Sequence, residues 1–277
     1  MKIALVGYGK MGKAIEKIAI DRGHTIKTIV DKNNSSEKLG NVDVTINFCT
    51  PKTAVNNITN SFNQNIPVVS GTTGWINEID HVKKVCLEKN TAFLYSSNFS
   101  LGVNIFFSVN KKLANIINKY NQYDLKLSEI HHEKKIDKPS GTAIQLANDI
   151  IENSKYVNWV SDKKNIKNHI PIKSIRSGNI TGIHTVNYTS NIDSIRLEHI
   201  AHNRDGFALG AVIAAEWIIG KTGIFTLNDV LDLNWLHNDS GSIVYFFYFM
   251  SNFNISKTLE IIPNSRLFLI QCNNSYI

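Results

Sequence analysis

Cysteine is scarce in this sequence, with three among 277 residues: Cys49, Cys86 and Cys272. An odd, widely spaced set offers neither a disulfide framework nor the spacing of zinc ligands. It fits a reducing, cytoplasmic setting in which no metal is expected. Long apolar runs are also missing. The most aromatic stretch, residues 243–250, is eight residues long, well short of the roughly twenty that cross a bilayer. The strand pattern Lys2–Val6 follows Met1 directly, so no leader peptide is expected. No Arg-rich block or RNA-binding signature is present, although basic residues outnumber acidic ones by 30 to 23, a net charge of +7. With the lysines scattered, this excess reads as compositional bias plus some local attraction for anionic ligands, so neither a membrane nor a nucleic acid is an expected partner.

What is present is ordinary globular composition, 43% apolar over a length sufficient for one large or two ordinary domains. Residues Lys2–Val6 form a short buried-strand pattern, and Gly7, Tyr8, Gly9, Lys10, Met11 and Gly12 make a G-x-G-x-x-G turn into an amphipathic run at 13–20. In such a turn the first glycine allows the tight bend, the second lets a pyrophosphate approach the backbone, and the third lets helix and strand pack closely. A second strand pattern ends at Asp31, nineteen residues after Gly12, near the spacing of about twenty expected for a carboxylate on an adenosine ribose. Asp31 suits the two ribose hydroxyls of NAD, whereas Lys32 offers a cation to a 2′-phosphate, so NADH and NADPH both remain open. Strand and helix patterns then alternate through 42–48, 51–64, 68–69, 78–88 and 92–95. Such alternation is what a doubly wound parallel sheet of the Rossmann type requires, and ligands of these sheets bind beyond the carboxyl ends of the strands. Two loops at that edge, Gly71, Thr72, Thr73 and Gly74, then Ser96, Ser97, Asn98 and Phe99, suit the nicotinamide end of a coenzyme, and they suit plain turns as well.

After Phe99 the pattern changes. A helix is expected over 101–120, followed by strands at 123–130, 172–175, 184–188 and 194–201 with period-two alternation. A mixed-sheet α+β domain for substrate follows from this. Arg176 and His184 flank an apparent hairpin turn, where hydrogen bonding around the turn is their expected role. The apolar helical run 204–220 should pack back on the first lobe. Two crossings between lobes imply a hinged cleft. The expected division is a dinucleotide-binding domain at 1–100 completed by 204–236, a substrate-binding and oligomerisation domain at 101–203, and an atypical extension at 237–277.

The chemistry concentrates at E-I-H-H-E-K-K-I-D-K-P-S-G-T-A, residues 129–143. His131 and His132 can exchange protons near neutral pH, Lys135 is a cation with movable donors, and Ser140, Gly141 and Thr142 stand where a helix start leaves N–H groups for an anion. A solvated basic loop ending in a helix cap would explain a His-His pair alone. The three groupings together point to a small dianion that must be protonated.

These residues resemble the dihydrodipicolinate reductase family. The resemblance rests on G-Y-G-K-M-G, G-T-T-G at 71–74, N-F-S-x-G-V-N at 98–104, E-I-H-H-x-x-K-x-D-x-P-S-G-T-A and R-S-G-x-I-x-G-x-H-T at 176–185, and it spans about residues 1–236. One departure is Lys10, where many members carry an extra residue and an Arg. The resemblance implies NAD(P)H-dependent reduction of a cyclic imine dicarboxylate in lysine and diaminopimelate biosynthesis by a homotetramer. It further implies His131 as proton donor or acceptor, Lys135 as the proton-donating cation, and His132, Ser140, Gly141 and Thr142 as holders of the substrate carboxylates. The competing readings are another two-lobed amino-dicarboxylate reductase, such as an aspartate dehydrogenase, and a non-catalytic dinucleotide-sensing module. The extension lies outside the resemblance and reads as unselected sequence, with a docking segment as the alternative. Ending the chain after Leu236 is expected to leave activity intact, and loss of turnover in a folded shortened protein would make it functional.

Overall fold

The computed structural model describes residues 1–31, 38–161, 166–203 and 205–233. Lys32 and the extension, about which the sequence raised specific expectations, lie outside the described residues. The chain begins with five strands, β1 (Lys2–Val6), β2 (Thr25–Val30), β3 (Val44–Asn47), β4 (Val68–Ser70) and β5 (Ala92–Tyr95). Three helices are interleaved with them: α1 (Lys10–Asp21), α2 (Pro51–Asn63) and α3 (Ile79–Glu88). All pairings among these strands are parallel. A parallel sheet needs both faces covered, which explains why β1, β3, β4 and most of β5 are buried runs rather than alternating ones. Ile3, Leu5, Val44 and Ile46 face one cluster with Ile15 and Ala19 of α1. On the other face Val68 and Phe93 pack with Ile58 and Phe62 of α2 and Val82 and Cys86 of α3.

Helix α4 (Leu101–Ile117) leads out of this layer, stopping three residues earlier than its pattern suggested. A second sheet follows: β6 (Asp124–His131), β7 (Asn158–Ser161), β8 (His169–Arg176), β9 (Gly182–Thr189) and β10 (Ser194–Ala201), with α5 (Gly141–Glu152) between β6 and β7. The strand order is β10-β9-β6-β8-β7. This overturns the expected hairpin at Arg176 to His184, because β8 and β9 are not neighbours. β6 lies between them, parallel to β8 and antiparallel to β9. The chain from 177 to 181 therefore steps over the end of β6.

Helix α6 (Asp205–Ile218) then returns to the first layer. Its inward residues are small: Ala208, Ala211, Ala214 and Ala215 pack with Ile3, Leu94 and Phe99. A Cβ on Gly210 would stand 1.8 Å from the Phe99 carbonyl oxygen, so glycine alone permits this approach. Glu216 on α6 accepts from both Arg22 Nε at 2.8 Å and Arg22 Nη2 at 2.7 Å, tying the helix to the end of α1. Strand β11 (Gly223–Phe225) then pairs in parallel with β5, completing the order β11-β5-β4-β3-β1-β2, and α7 (Leu227–Val230) follows. Strands β11 and β7, of three and four residues, are not among the strands expected from the sequence pattern. Among the described residues no helix is long and apolar enough to cross a membrane.

Candidate functional site

Three neighbouring strands of the second sheet carry one stripe that changes character at the same level. On β6 the buried face reads Leu125, Leu127, Glu129, His131. Register places Ile172, Ser174 and Arg176 of β8 opposite Leu127, Glu129 and His131. It places Tyr188, Val186 and His184 of β9 opposite Leu125, Leu127 and Glu129. The apolar half packs beneath Leu146, Ala147 and Ile150 of α5, and the polar half reaches the start of that helix at Ser140. The strand pattern expected at 123–130 is shifted by one residue to Asp124–His131. That shift puts His131 inside the strand, where period two holds its side chain on the same face as Glu129.

Glu129 is the centre of this polar half and is fully buried. Its Oε1 accepts from the Ser140 N–H at 3.1 Å and from Arg176 Nη2 at 3.0 Å. Its Oε2 lies 3.1 Å from His131 Nδ1 and 4.0 Å from His184 Nε2. Burial opposes ionisation of this carboxyl, but donors on His131, Ser140, Ser174 and Arg176 outweigh it and hold the group well below the usual carboxylate range. Arg176 is fixed in turn by the carbonyls of Lys135 at 3.2 Å and Asp137. His184 packs edge-on to His131 with ring centroids 4.9 Å apart and faces the Ser140 hydroxyl at 3.3 Å. Burial, reinforced by His131, pushes His184 down to about 3, so it stays neutral at physiological pH. Arg176 and His184, expected to brace a turn, instead form the walls of this cluster. The sequence reading had not singled out Glu129 at all.

Glu129, His131 and His184 also have ligand atoms within 4.8 Å of one another, a spacing open to a metal ion. The guanidinium of Arg176 already supplies the countercharge on Glu129, so the donor set reads as a hydrogen-bonding cluster.

Around this cluster lie the other predicted residues. Helix α5 begins two residues earlier than its pattern indicated, at Gly141, with Ser140 as N-cap accepting from Ala143 N–H at 3.2 Å. Gly141 and Thr142 lie in the first turn, where a helix leaves N–H groups without internal partners. Gly141 is exposed, and a Cβ there would meet nothing within 4 Å, so the helix start is open to a ligand. Lys135 and Asp137 form an ion pair at 2.8 Å, which lowers the Asp137 carboxyl. The cation expected to act on a substrate is thus parked on a neighbour. His132, beyond the strand end, is half-buried.

The Gly7 to Gly12 turn behaves as its spacing predicts. Gly7 has φ +96°, and a Cβ on it would lie 2.1 Å from the Phe48 carbonyl oxygen; one on Gly12 would lie 2.2 Å from the Gly7 carbonyl oxygen. Gly9, in contrast, opens on nothing within 4 Å and caps α1 without a side-chain hydrogen bond. The backbone of Lys10 and Met11 at the start of α1 is therefore presented to a phosphate, and Tyr8 closes the turn through a hydrogen bond to Glu16. Asp31 directly follows β2 at the same sheet edge. These features fit a dinucleotide.

The two loops divide between exposed residues and residues held by internal hydrogen bonds. Thr72 is buried, its hydroxyl accepting from Cys49 N–H at 3.0 Å and its carbonyl from Trp75 Nε1 at 2.6 Å, while Thr73 is exposed beside half-buried Gly71. Ser96 accepts from Asn98 N–H at 3.2 Å, Ser97 is exposed, and Asn98 accepts from Ser100 N–H at 2.9 Å. Phe99, expected to touch a coenzyme, is instead a core residue, 1% exposed and packed under α6. The loop continues into α4, where a Cβ on Gly102 would lie 2.9 Å from His199 of β10, so the first layer meets the second sheet there.

The family profile described as dihydrodipicolinate reductase, N-terminus, matches residues 1–99, and that described as dihydrodipicolinate reductase, C-terminus, matches residues 102–231. A 4-hydroxy-tetrahydrodipicolinate reductase of Christiangramia forsetii is 49% identical over 234 residues, covering 83% of this chain and 98% of that protein. One from Archaeoglobus fulgidus is 31% identical over 261 residues, covering 84% and 100%. Among solved structures, a dipicolinate-bound dihydrodipicolinate reductase from Paenisporosarcina sp. TG-14 shares the fold, with a TM-score of 0.66, 19% identity and coverage of 82% and 97%.

Proposed function

This chain belongs to the dihydrodipicolinate reductase family, and on that premise we propose how its residues divide the work. The protein is an NAD(P)H-dependent 4-hydroxy-tetrahydrodipicolinate reductase of lysine and diaminopimelate biosynthesis. A reduced nicotinamide dinucleotide, when bound, supplies a hydride. The residues that would hold it are Gly7, Tyr8, Gly9, Lys10, Met11 and Gly12 at the phosphates, Asp31 and Lys32 at the adenosine ribose, and the loops Gly71 to Thr73 and Ser96 to Asn98 at the other end. Asp31 favours the two ribose hydroxyls of NADH and Lys32 a 2′-phosphate, so the coenzyme is NADH or NADPH.

Reduction of a cyclic imine drives electron density onto the ring nitrogen, which then needs a proton or a cation. His131 is the proton donor and acceptor in this reading. Lys135 swings from Asp137 to the substrate. The N–H groups of Gly141 and Thr142, behind the Ser140 cap, take one carboxylate, and His132 takes the other. The observation that carries this reading is the location of His131, buried on Glu129 at the end of β6, beside the open N-terminus of α5. We place the protein in the cytoplasm as a homotetramer built through the second sheet. Its domains are 1–100 with 204–236 for coenzyme and 101–203 for substrate and assembly.

Substrate made in situ from pyruvate and aspartate semialdehyde tests the reading, with loss of absorbance followed separately for each coenzyme. His131→Gln and Lys135→Ala should each lower kcat by about 100-fold or more while coenzyme affinity stays near the parent's. Parent-like turnover in both would refute the assignment.

A further inference from the structure

We propose that Glu129 is a positioning residue for the reaction: it fixes the His131 imidazole with its proton on Nδ1, so that Nε2 is the atom that exchanges a proton with substrate. This rests on the assignment of His131 as the proton donor and acceptor. A neutral imidazole carries one N–H, and which nitrogen holds it is set by the acceptor the ring faces. Glu129 Oε2 stands 3.1 Å from Nδ1. The two atoms stand in reach without hydrogen-bond alignment, and neither has a hydrogen-bond partner among the described residues; turning the ring would bring the N–H onto the oxygen. The carboxylate cannot follow the ring, because the Ser140 N–H and Arg176 hold its other oxygen at 3.1 and 3.0 Å. Such outer partners fix both orientation and tautomer.

The opposite edge of the ring is kept open by a glycine. A Cβ on Gly182, at the start of β9, would stand 3.1 Å from His131 Nε2 and 3.4 Å from Cδ2. Among the described residues, the titratable or charged groups around His131 are Glu129 on its own strand, Arg176 on β8, His184 on β9, His199 beyond it on β10, and Lys135 and Asp137 in the following loop. Only Glu129 places an anion on the ring. Asp137 is turned to Lys135, and His184 is neutral.

Nitrogen-15 spectra of the intact protein labelled in histidine, with His131 assigned by loss of its signal in His131→Gln, read the tautomer directly. A protonated Nδ1 and bare Nε2 at neutral pH is the expected result; the reverse tautomer overturns the proposal whether or not any variant folds. In Glu129→Gln the side-chain amide keeps the shape and donates to Nδ1 instead. We expect a drop in kcat of about 100-fold or more and coenzyme affinity within about twofold of the parent. A folded Glu129→Gln with the parent's kcat also overturns the proposal. If His131→Gln were fully active, the assignment beneath it would fail separately.

Discussion

Two helix N-termini in this molecule are shaped to receive negative charge, and they do it in opposite ways. At α1 the chain removes side chains: Gly9 caps without a side-chain hydrogen bond, Gly7 and Gly12 leave no room for a Cβ, and the backbone dipole of the helix start is left uncovered at Gly9. At α5 the chain adds them: Ser140 caps, its N–H holds Glu129, and its hydroxyl touches His184. The first end can hold charge and do nothing else. The second connects the helix start to a buried cluster of ionisable groups, so one residue, Ser140, belongs to both. Binding without reaction needs only backbone, whereas reaction needs ionisable groups, which have to be buried and paired.

Substitutions can break this contrast at either end. The largest effect is expected from Gly12→Ala, whose Cβ would sit 2.2 Å from the Gly7 carbonyl. Coenzyme affinity measured by fluorescence titration should fall about 100-fold, and the melting temperature should fall with it. Gly9→Ala, with nothing within 4 Å of the new methyl, should leave the melting temperature unchanged and weaken coenzyme alone.

At the other end the cluster predicts a pH effect with a defined sign. His184 has its folded value depressed to about 3 from 6.5. Below 6.5 the unfolded chain takes up a proton that the folded protein refuses, so stability is complete above 6.5 and is lost progressively down to about 3. This group should account for about 2 kcal/mol of the stability lost between roughly pH 7 and 5. Thermal melts of His184→Asn should show a flatter loss over that interval than the parent; an identical slope would rule out a buried neutral His184.

The smallest effect is expected from Ser140→Ala, which removes the cap and should cost about 1 kcal/mol. Its main-chain N–H still reaches Glu129, so kcat should change much less than in Glu129→Gln, and chemical denaturation together with steady-state kinetics checks both halves.

The same contrast accounts for what could be read from the sequence. The needs of the α1 turn are local: Gly7, Gly9 and Gly12 answer to a backbone bend and a close approach within a few residues, and the alternating strands that follow dictate a parallel sheet. The site at α5 was half legible. His131, His132, Lys135 and the Ser-Gly-Thr start lie within a dozen residues, but the group that organises them depends on register. Glu129 meets Arg176 and His184 only because β8 and β9 flank β6. A short polar link between two strands looks the same whether the strands are neighbours or a third lies between them, and so the turn at 177–181 was misread. Phe99 was misjudged for a related reason. Its motif marks a loop at the ligand edge, while the glycine that admits its backbone into the core, Gly210, lies over a hundred positions away.

The pairing of β11 with β5 also bears on the order in which the protein is made. Until residues 223–225 leave the ribosome, the outer edge of β5 presents unpaired backbone groups, and α6 has yet to cover Ile3, Leu94 and Phe99. The nascent first layer must therefore wait, with one raw edge, while the whole of the second sheet is synthesised and can fold. Any delay between those events is the interval in which an N-terminal fragment is most apt to pair with a stranger.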